Sequence, residues 1–408
     1  MTGLRNYALV TSAYWGFTLT DGALRMLVLL HFHTLGYSPF DVAMLLLFYE
    51  FFGVITNLVG GWIGARFGLK PTLFAGLAVQ VAALVMLAQL KPEWVQWLSV
   101  LYVMITQAFS GIAKDLTKMS AKSAIKLVVP DGAKGTLYKW VAILTGSKNA
   151  LKGVGFFLGG ALLQGVGFTG SLHLMAAGLA VILVISAVSL PADMGRARAK
   201  TKFTQIFSKS PAVNRLSAAR FFLFGSRDVW FVVGLPVFLY EGLHWSFTQV
   251  GGFLALWIIG YGVIQSAAPA ITRVAGHPDG RMAAWLAFGL AAVPGVIAYG
   301  LGTTADPVWL VVAGLILFAL VFALNSAVHS YLILDYSDAD GVALNVGFYY
   351  MANAGGRLLG TVLSGAVYQV WGLQGCLWAA VALVVAAAAL SLLLPIGPVK
   401  TGTTKAAE

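Results

Sequence analysis

Residues 152–170, "KGVGFFLGGALLQGVGFTG", and residues 357–375, "RLLGTVLSGAVYQVWGLQG", carry one pattern twice. At a shift of 205 residues Lys152 meets Arg357, and Gly155, Gly160, Gln164, Gly167 and Gly170 meet Gly360, Gly365, Gln369, Gly372 and Gly375. A looser match sets Ser38 and Val42 against Ser246 and Val250. That many coincidences in so short a window mark an internal duplication, so the chain is read as two like halves.

Composition says what the halves are made of. Of 408 residues 59% are hydrophobic and only 10% charged, against about 25% charged in a soluble domain. Long apolar stretches recur along the whole chain, which is the pattern of a polytopic membrane protein. Twelve spans are expected, near 7–32, 40–64, 71–90, 95–127, 136–165, 171–190, 213–240, 247–270, 282–301, 308–334, 342–370 and 373–394. Several exceed the roughly 20 residues a crossing needs, so tilt or protrusion is expected. The fold class is therefore an all-α integral membrane protein of two six-helix halves. Its expected domains are 1–192, a basic linker 193–211, 212–395 and a tail 396–408.

Positive charge orients the spans. Arg66 and Lys70, Lys134 and Lys139, the run Arg196 to Arg215, Arg273 and Arg281, and Lys400 and Lys405 fall on one side, while the other offers little beyond Lys91. By the positive-inside rule both termini are cytoplasmic. Arg5 precedes a long apolar run with no small-residue cleavage site, so the first segment reads as a retained helix. The net charge of +11 does not point to nucleic acid, because much of it lies in or beside apolar segments. The single cysteine, Cys376, excludes a disulfide framework and a multi-thiol metal site. No nucleophile–base motif, phosphate loop or zinc pattern is present, so neither an enzyme nor a cofactor or metal is expected. His31, His33, His173 and His244 lack a ligand spacing.

Ionisable groups inside spans are costly and usually face an internal cavity. Eight cations (Arg25, Lys114, Lys118, Lys148, Lys152, Arg220, Arg227 and Arg357) stand against four anions (Asp21, Glu50, Asp115 and Asp228). Such a surplus suits an anionic substrate. Local pairs are expected between Asp21 and Arg25, four apart, and between Asp115 and Lys118, with Asp228 meeting Arg227 or a neighbouring helix. Lys148, Lys152 and Arg357 have no local acid and lead the expected substrate-binding set, followed by Lys114, Lys118 and Arg227. Tyr349, Asn353 and Arg357, spaced by four, would share a helix face, and Asn325, Ser326, His329 and Tyr350 are further polar groups of the second half. Asp21, Arg25, Glu50, Asp115 and Asp228 are read as coupling or salt-bridge groups; for Glu50 and Asp21 a coupling proton and a fixed bridge both stand.

The row "GIAKDLTKMSAKSAIK", 111–126, holds Lys114, Lys118, Lys122 and Lys126. It is either an embedded helix or an amphipathic loop. The repeat favours the helix, since Lys114, Lys118 and Lys122 fall on Ala319, Ala323 and Ala327 of an apolar span. Four residues turn a helix by about 400°, so the row spirals, and Lys126 lies roughly 18 Å along the axis from Lys114. Lys114 and Lys118 are then central, and Lys122 and Lys126 form a funnel at the cytoplasmic mouth.

Two parallel six-helix halves resemble the major facilitator superfamily. "GGWIGARFGLKPT" resembles its loop motif G-x-L-x-D-R-x-G-R-K, with Gly61, Arg66, Gly68 and Lys70 fitting, Ala65 in place of the aspartate and Leu69 in place of a basic residue. The missing carboxylate puts the motif's usual charge clamp in doubt. More narrowly, "FTLTDGALRMLVLLHFHTLGYSP", "GIAKDLTKMSAKSAIKLVVPDG", "GTLYKWVAILTGSKNALKGVGFFLGG", "RDVWFVVGLPVFL" and "GFYYMANAGGRLLGTVLSG" resemble the ArsJ-type organoarsenical efflux permeases of that superfamily, over nearly the whole chain. The resemblance implies an exporter in the bacterial inner membrane, and the chain is expected to be monomeric. It would act in arsenate resistance beside a glyceraldehyde-3-phosphate dehydrogenase that uses arsenate, extruding the product 1-arseno-3-phosphoglycerate. A transporter of other organophosphates or organic anions, or a phosphate exchanger, is the alternative.

Overall fold

A bilayer offers no water to bare N–H and C=O groups, so a chain that crosses it repeatedly must satisfy its backbone within helices. The computed structural model describes residues 2–67, 69–91, 93–124, 134–191, 210–272, 278–303, 307–336 and 342–396, and every regular element among them is helical. In the first half, α1 covers Thr2–Thr34, α2 Pro39–Leu45, α3 Leu47–Phe67, α4 Leu69–Leu87, α5 Gln96–Ala124 and α6 Lys134–Ser189. In the second, α7 covers Pro211–Phe231, α8 Gly234–Val237, α9 Phe247–Thr272, α10 Gly280–Leu301, α11 Pro307–Asp335 and α12 Val342–Ser391.

These elements make twelve passes. α2 and α3 run on as one pass, and α7, α8 and a π turn at Phe238–Gly242 form another. α6, with 56 residues, and α12, with 50, each hold two passes joined by a reversal. The reversals fall at Gly167 (φ 73°) and Gly372 (φ 60°), in a region of backbone space nearly closed to residues with a Cβ. The two glycines are repeat mates, 205 residues apart. The end of the bundle where they lie is called the far end; the opposite, where α6 finishes and α7 starts, is the linker end.

Helices that carry few charges are long and apolar enough to cross a membrane, and many of their large apolar side chains are bare, such as Val188 at 84% and Trp309 at 75% exposure. In water such a surface would be a liability; against acyl chains it is the required solvent face. α7 breaks at Val232–Val233, where the ring of Pro236 crowds the Val232 carbonyl, four residues back, that its missing N–H cannot bond. The N–H groups of Val233 and Gly234 donate instead to Ser364 Oγ of α12, both at 3.1 Å.

Burial shows how the halves meet. One apolar core at the far end includes α1 and α6 of the first half with α7, α9 and α12 of the second. Toward the linker end the core divides into a cluster of first-half residues around Phe17 and Leu77 and a cluster of second-half residues around Leu216 and Tyr349. The far-end seam is pseudo-symmetric. A Cβ on Gly160 would lie 2.4 Å from the carbonyl oxygen of Phe247, and one on its mate Gly365 would lie 2.5 Å from that of Pro39. One turn further on, Gln164 Oε1 accepts from the Thr248 hydroxyl at 2.7 Å, and Gln369 Oε1 accepts from the Phe40 N–H at 3.3 Å. His33 Nε2 and Glu241 add a contact of 2.9 Å across the same end.

Candidate functional site

Between the halves, midway along the helices, lies a cavity of about 240 Å3. Its wall takes Arg25 from α1, Lys114 and Lys118 from α5, and Lys148 and Lys152 from α6. From the other half it takes Arg220 and Arg227 from α7 and Arg357 from α12. All eight cations singled out in the sequence thus face one space; the four lysines come as two pairs, each spaced by four and sharing a helix face. α5 is helical throughout Lys114 and Lys118, so the embedded reading of the lysine row applies there. The side chain of Lys122 and all of Lys126 lie outside the described residues.

The carboxylates are distributed among these cations by tertiary contacts. Glu50 is fully buried, and its Oε1 accepts from Arg25 Nη2 at 2.9 Å and from Arg357 Nη2 at 2.6 Å. Arg357 Nε also donates to Asp228 Oδ2 at 3.1 Å, while Arg227 Nη2 lies 2.5 Å from Asp228 Oδ1. Lys118 Nζ sits between Asp115 Oδ1 at 2.5 Å and Asn57 Oδ1 at 2.6 Å. Asp21 accepts from the Tyr49 hydroxyl at 2.6 Å and lies 4.0 Å from Lys152 Nζ. The repeat mates Lys152 and Arg357 therefore occupy matching places: each faces a carboxylate on the first helix of its own half, Asp21 on α1 and Asp228 on α7.

Three expectations change. Asp21 and Arg25 do not pair, although they are one turn apart; Arg25 turns to Glu50 of α3, and Asp21 is held by Tyr49 and faces Lys152. A buried charge takes the partner that best replaces its hydration, and those partners come from other helices. Arg357, without a local acid, finds two distant ones and so is already compensated. Tyr349 does not line the cavity; it is fully buried beneath Arg220, and Tyr350 lines the wall instead. Residues spaced by four drift about 40° per step, so Tyr349 sits roughly 80° around α12 from Arg357. Asn353 does line the cavity.

Lys114 and Arg220 make no direct ion pair among the described residues. Among the described residues neither has a carboxylate within 4.0 Å. Lys114 Nζ rests 4.0 Å above the ring of Tyr49, and Arg220 lies 4.0 Å above that of Phe224. Sequence reasoning counted Arg220 among the buried cations but passed it over as a site residue; its lack of any neighbouring acid, where Arg227 has Asp228, is the signal that could have found it.

Of the loop motif, the side chain of Arg66, and Gly68 altogether, lie outside the described residues, while Gly61 lies within α3. Lys70 donates to the carbonyls of Leu190 at 2.5 Å and Ala187 at 3.4 Å, and thus caps the end of α6. Cys376 is fully buried away from the cavity, its Sγ 3.7 Å from the Ser364 carbonyl.

The family model of the Major Facilitator Superfamily matches residues 9–331. No curated protein matches the chain. Two solved structures share its fold over 95% of this chain and 96% of theirs, both with a TM-score of 0.73. One is a POT family transporter in complex with 5-aminolevulinic acid, at 14% identity, and the other a POT family transporter in complex with a thioalcohol-conjugated peptide, at 15%.

Proposed function

The chain belongs to the major facilitator superfamily and is a multi-pass membrane transporter, and we propose that it exports a multiply charged organic anion, 1-arseno-3-phosphoglycerate, by alternating access. The observation that carries this reading is the cavity: among the described residues eight cations line it, and four carboxylates lie at or behind its wall. A phosphate group alone carries nearly two negative charges near neutral pH. An ester with phosphate and arsenate groups matches the remaining positive charge. Arsenic would be gripped as an oxyanion, because the lone thiol is buried away from the cavity.

In this reading the linker end is cytoplasmic and the membrane is the bacterial inner membrane, where the basic linker and loops satisfy the positive-inside rule. A glyceraldehyde-3-phosphate dehydrogenase that accepts arsenate supplies the substrate, and export confers arsenate resistance. Lys114, Lys148 and Lys152 attract the anion, while Arg357 must exchange Glu50 for it. Substrate thereby competes for the ion pair that joins the halves, which couples binding to rocking. The second reading, a transporter of other organophosphates or organic anions, draws on the same charge surplus.

The test is uptake into inverted vesicles, with and without a pH gradient, of enzymatically made 1-arseno-3-phosphoglycerate beside 3-phosphoglycerate. Uptake of the arseno ester that is lost in Lys152→Gln and Arg357→Gln, at normal expression, supports the proposal. Uptake of 3-phosphoglycerate alone moves the assignment to the second reading, and no uptake of either overturns export.

A further inference from the structure

Arg220 is 4% exposed, yet it reaches the cavity wall from α7. Its fixed partners are neutral: Nε donates to Asn353 Oδ1 at 3.0 Å, and Nη1 donates to the carbonyl and Oγ of Ser326, both at 3.1 Å. Ser326 Oγ also receives the Tyr261 hydroxyl at 3.3 Å and Gln265 Nε2 at 3.2 Å. The guanidinium is thus held by hydrogen bonds to α11 and α12, with the rings of Phe224 and Tyr349 packed against it at 4.0 and 5.0 Å. Nη2, with two further N–H donors, has no partner among the described residues. A buried guanidinium cannot shed its proton, and leaving its charge without an anion is costly.

Position gives this group a separate task. Arg220 lies seven residues before Arg227 on α7, about 10 Å nearer the linker end. The four lysines of the cavity all belong to the other half, on α5 and α6. At the repeat shift, Lys114 and Lys118 fall on Ala319 and Ala323 of α11, so the second half has no lysine pair of its own at those places. The cavity is therefore lopsided, with four lysine point charges on one wall and three arginine forks, the pinned Arg220 among them, on the other.

We infer that Arg220, held by Asn353 and Ser326, is a second anion subsite, and that it makes the cavity select ligands with two separated anionic groups over those with one. This rests on the anion-transport reading and adds to it a specificity-determining residue. The lysine wall takes one group, and the open Nη2 edge of Arg220 takes the other. A planar carboxylate or a tetrahedral oxyanion fits such an edge equally well.

The experiment uses the full chain in lipid nanodiscs and measures binding of glycerol 3-phosphate and 3-phosphoglycerate, which differ by one carboxylate. Wild type should bind 3-phosphoglycerate about 10-fold to 100-fold more tightly, the range of one charge-assisted hydrogen bond to a buried cation. Arg220→Gln should bring that ratio to near one, Arg220→Lys should restore part of it, and Lys152→Gln should weaken both ligands while the ratio persists. An unchanged ratio in Arg220→Gln, or a parallel loss of both affinities with a lowered melting temperature, overturns the subsite and leaves Arg220 as a brace between helices. Failure of wild type to bind either ligand overturns the subsite, while the anion-transport reading itself stands or falls on uptake of the arseno ester in vesicles.

Discussion

Arg357 Nη2 stands 2.6 Å from Glu50 Oε1, so an ion pair crosses the interface between the two halves at the centre of the membrane-spanning bundle. The same carboxylate oxygen holds Arg25 at 2.9 Å. In the proposed export cycle a substrate anion that takes Arg357 would displace Glu50, and that exchange would link loading the cavity to releasing the halves.

Glu50→Gln leaves Arg25 and Arg357 without their shared countercharge. Breaking one side of a buried pair costs about 3–5 kcal/mol in soluble proteins, so the melting temperature in detergent should fall. Because Gln no longer competes, the affinity for 3-phosphoglycerate should rise several-fold while transport falls. Added phosphoglycerate should recover part of the lost thermal stability. A variant with unchanged affinity would show that Glu50 does not compete with the ligand.

The far-end seam admits no side chain at two matched places. A Cβ at Gly160 or Gly365 meets a backbone carbonyl oxygen at 2.4 or 2.5 Å, and backbone cannot move aside cheaply. Overfilling a packed contact costs about 1–3 kcal/mol. Gly160→Ala and Gly365→Ala should each bias the bundle away from the state closed at the far end. Spin labels placed at the far ends of α1 and α9 should report longer distances in both variants. Equal distances in variants and wild type would refute the seam's role.

Gly167 and Gly372 turn the chain at φ values of 73° and 60°. An alanine there is strained by about 1–3 kcal/mol, whatever the space around it. Gly167→Ala and Gly372→Ala should each lower thermal stability in detergent by a similar amount, since the turns are repeat mates. A Gly170→Ala control lies in the same segment without a positive φ and should have the smaller effect.

Lys70 caps α6 from α4 through the carbonyls of Leu190 and Ala187. A cation at a helix C-terminus contributes about 0.3–1 kcal/mol. Lys70→Met should lose that much in a thermal unfolding series, and Lys70→Arg should keep most of it. Identical melting of all three proteins would mean the cap contributes nothing measurable.

Some of the site was legible before any contact was known. Membrane burial makes each charged residue within a span conspicuous, and the surplus of eight cations over four anions follows from counting. Partner choice was not legible. Asp21 and Arg25 share a helix face, which is all that spacing can say, yet their partners are Tyr49 and Lys152 for one and Glu50 for the other. The adjacent Asp228 already marked Arg227 as compensated in the sequence; that Arg220 settles on the neutral Ser326 and Asn353 instead of an acid was not legible.

By itself the sequence determined the membrane class, the twelve passes, the division into halves and the places of the two reversals. Each of these depends on local composition or on a glycine pattern repeated at 205 residues, and local rules suffice for them. Only the tertiary structure decided which cations are neutralised, that Tyr350 and not Tyr349 faces the cavity, and that the far end is the joined one. Those outcomes depend on which helices come within hydrogen-bonding distance, and inside a membrane a charge settles on whichever distant group can replace its lost water.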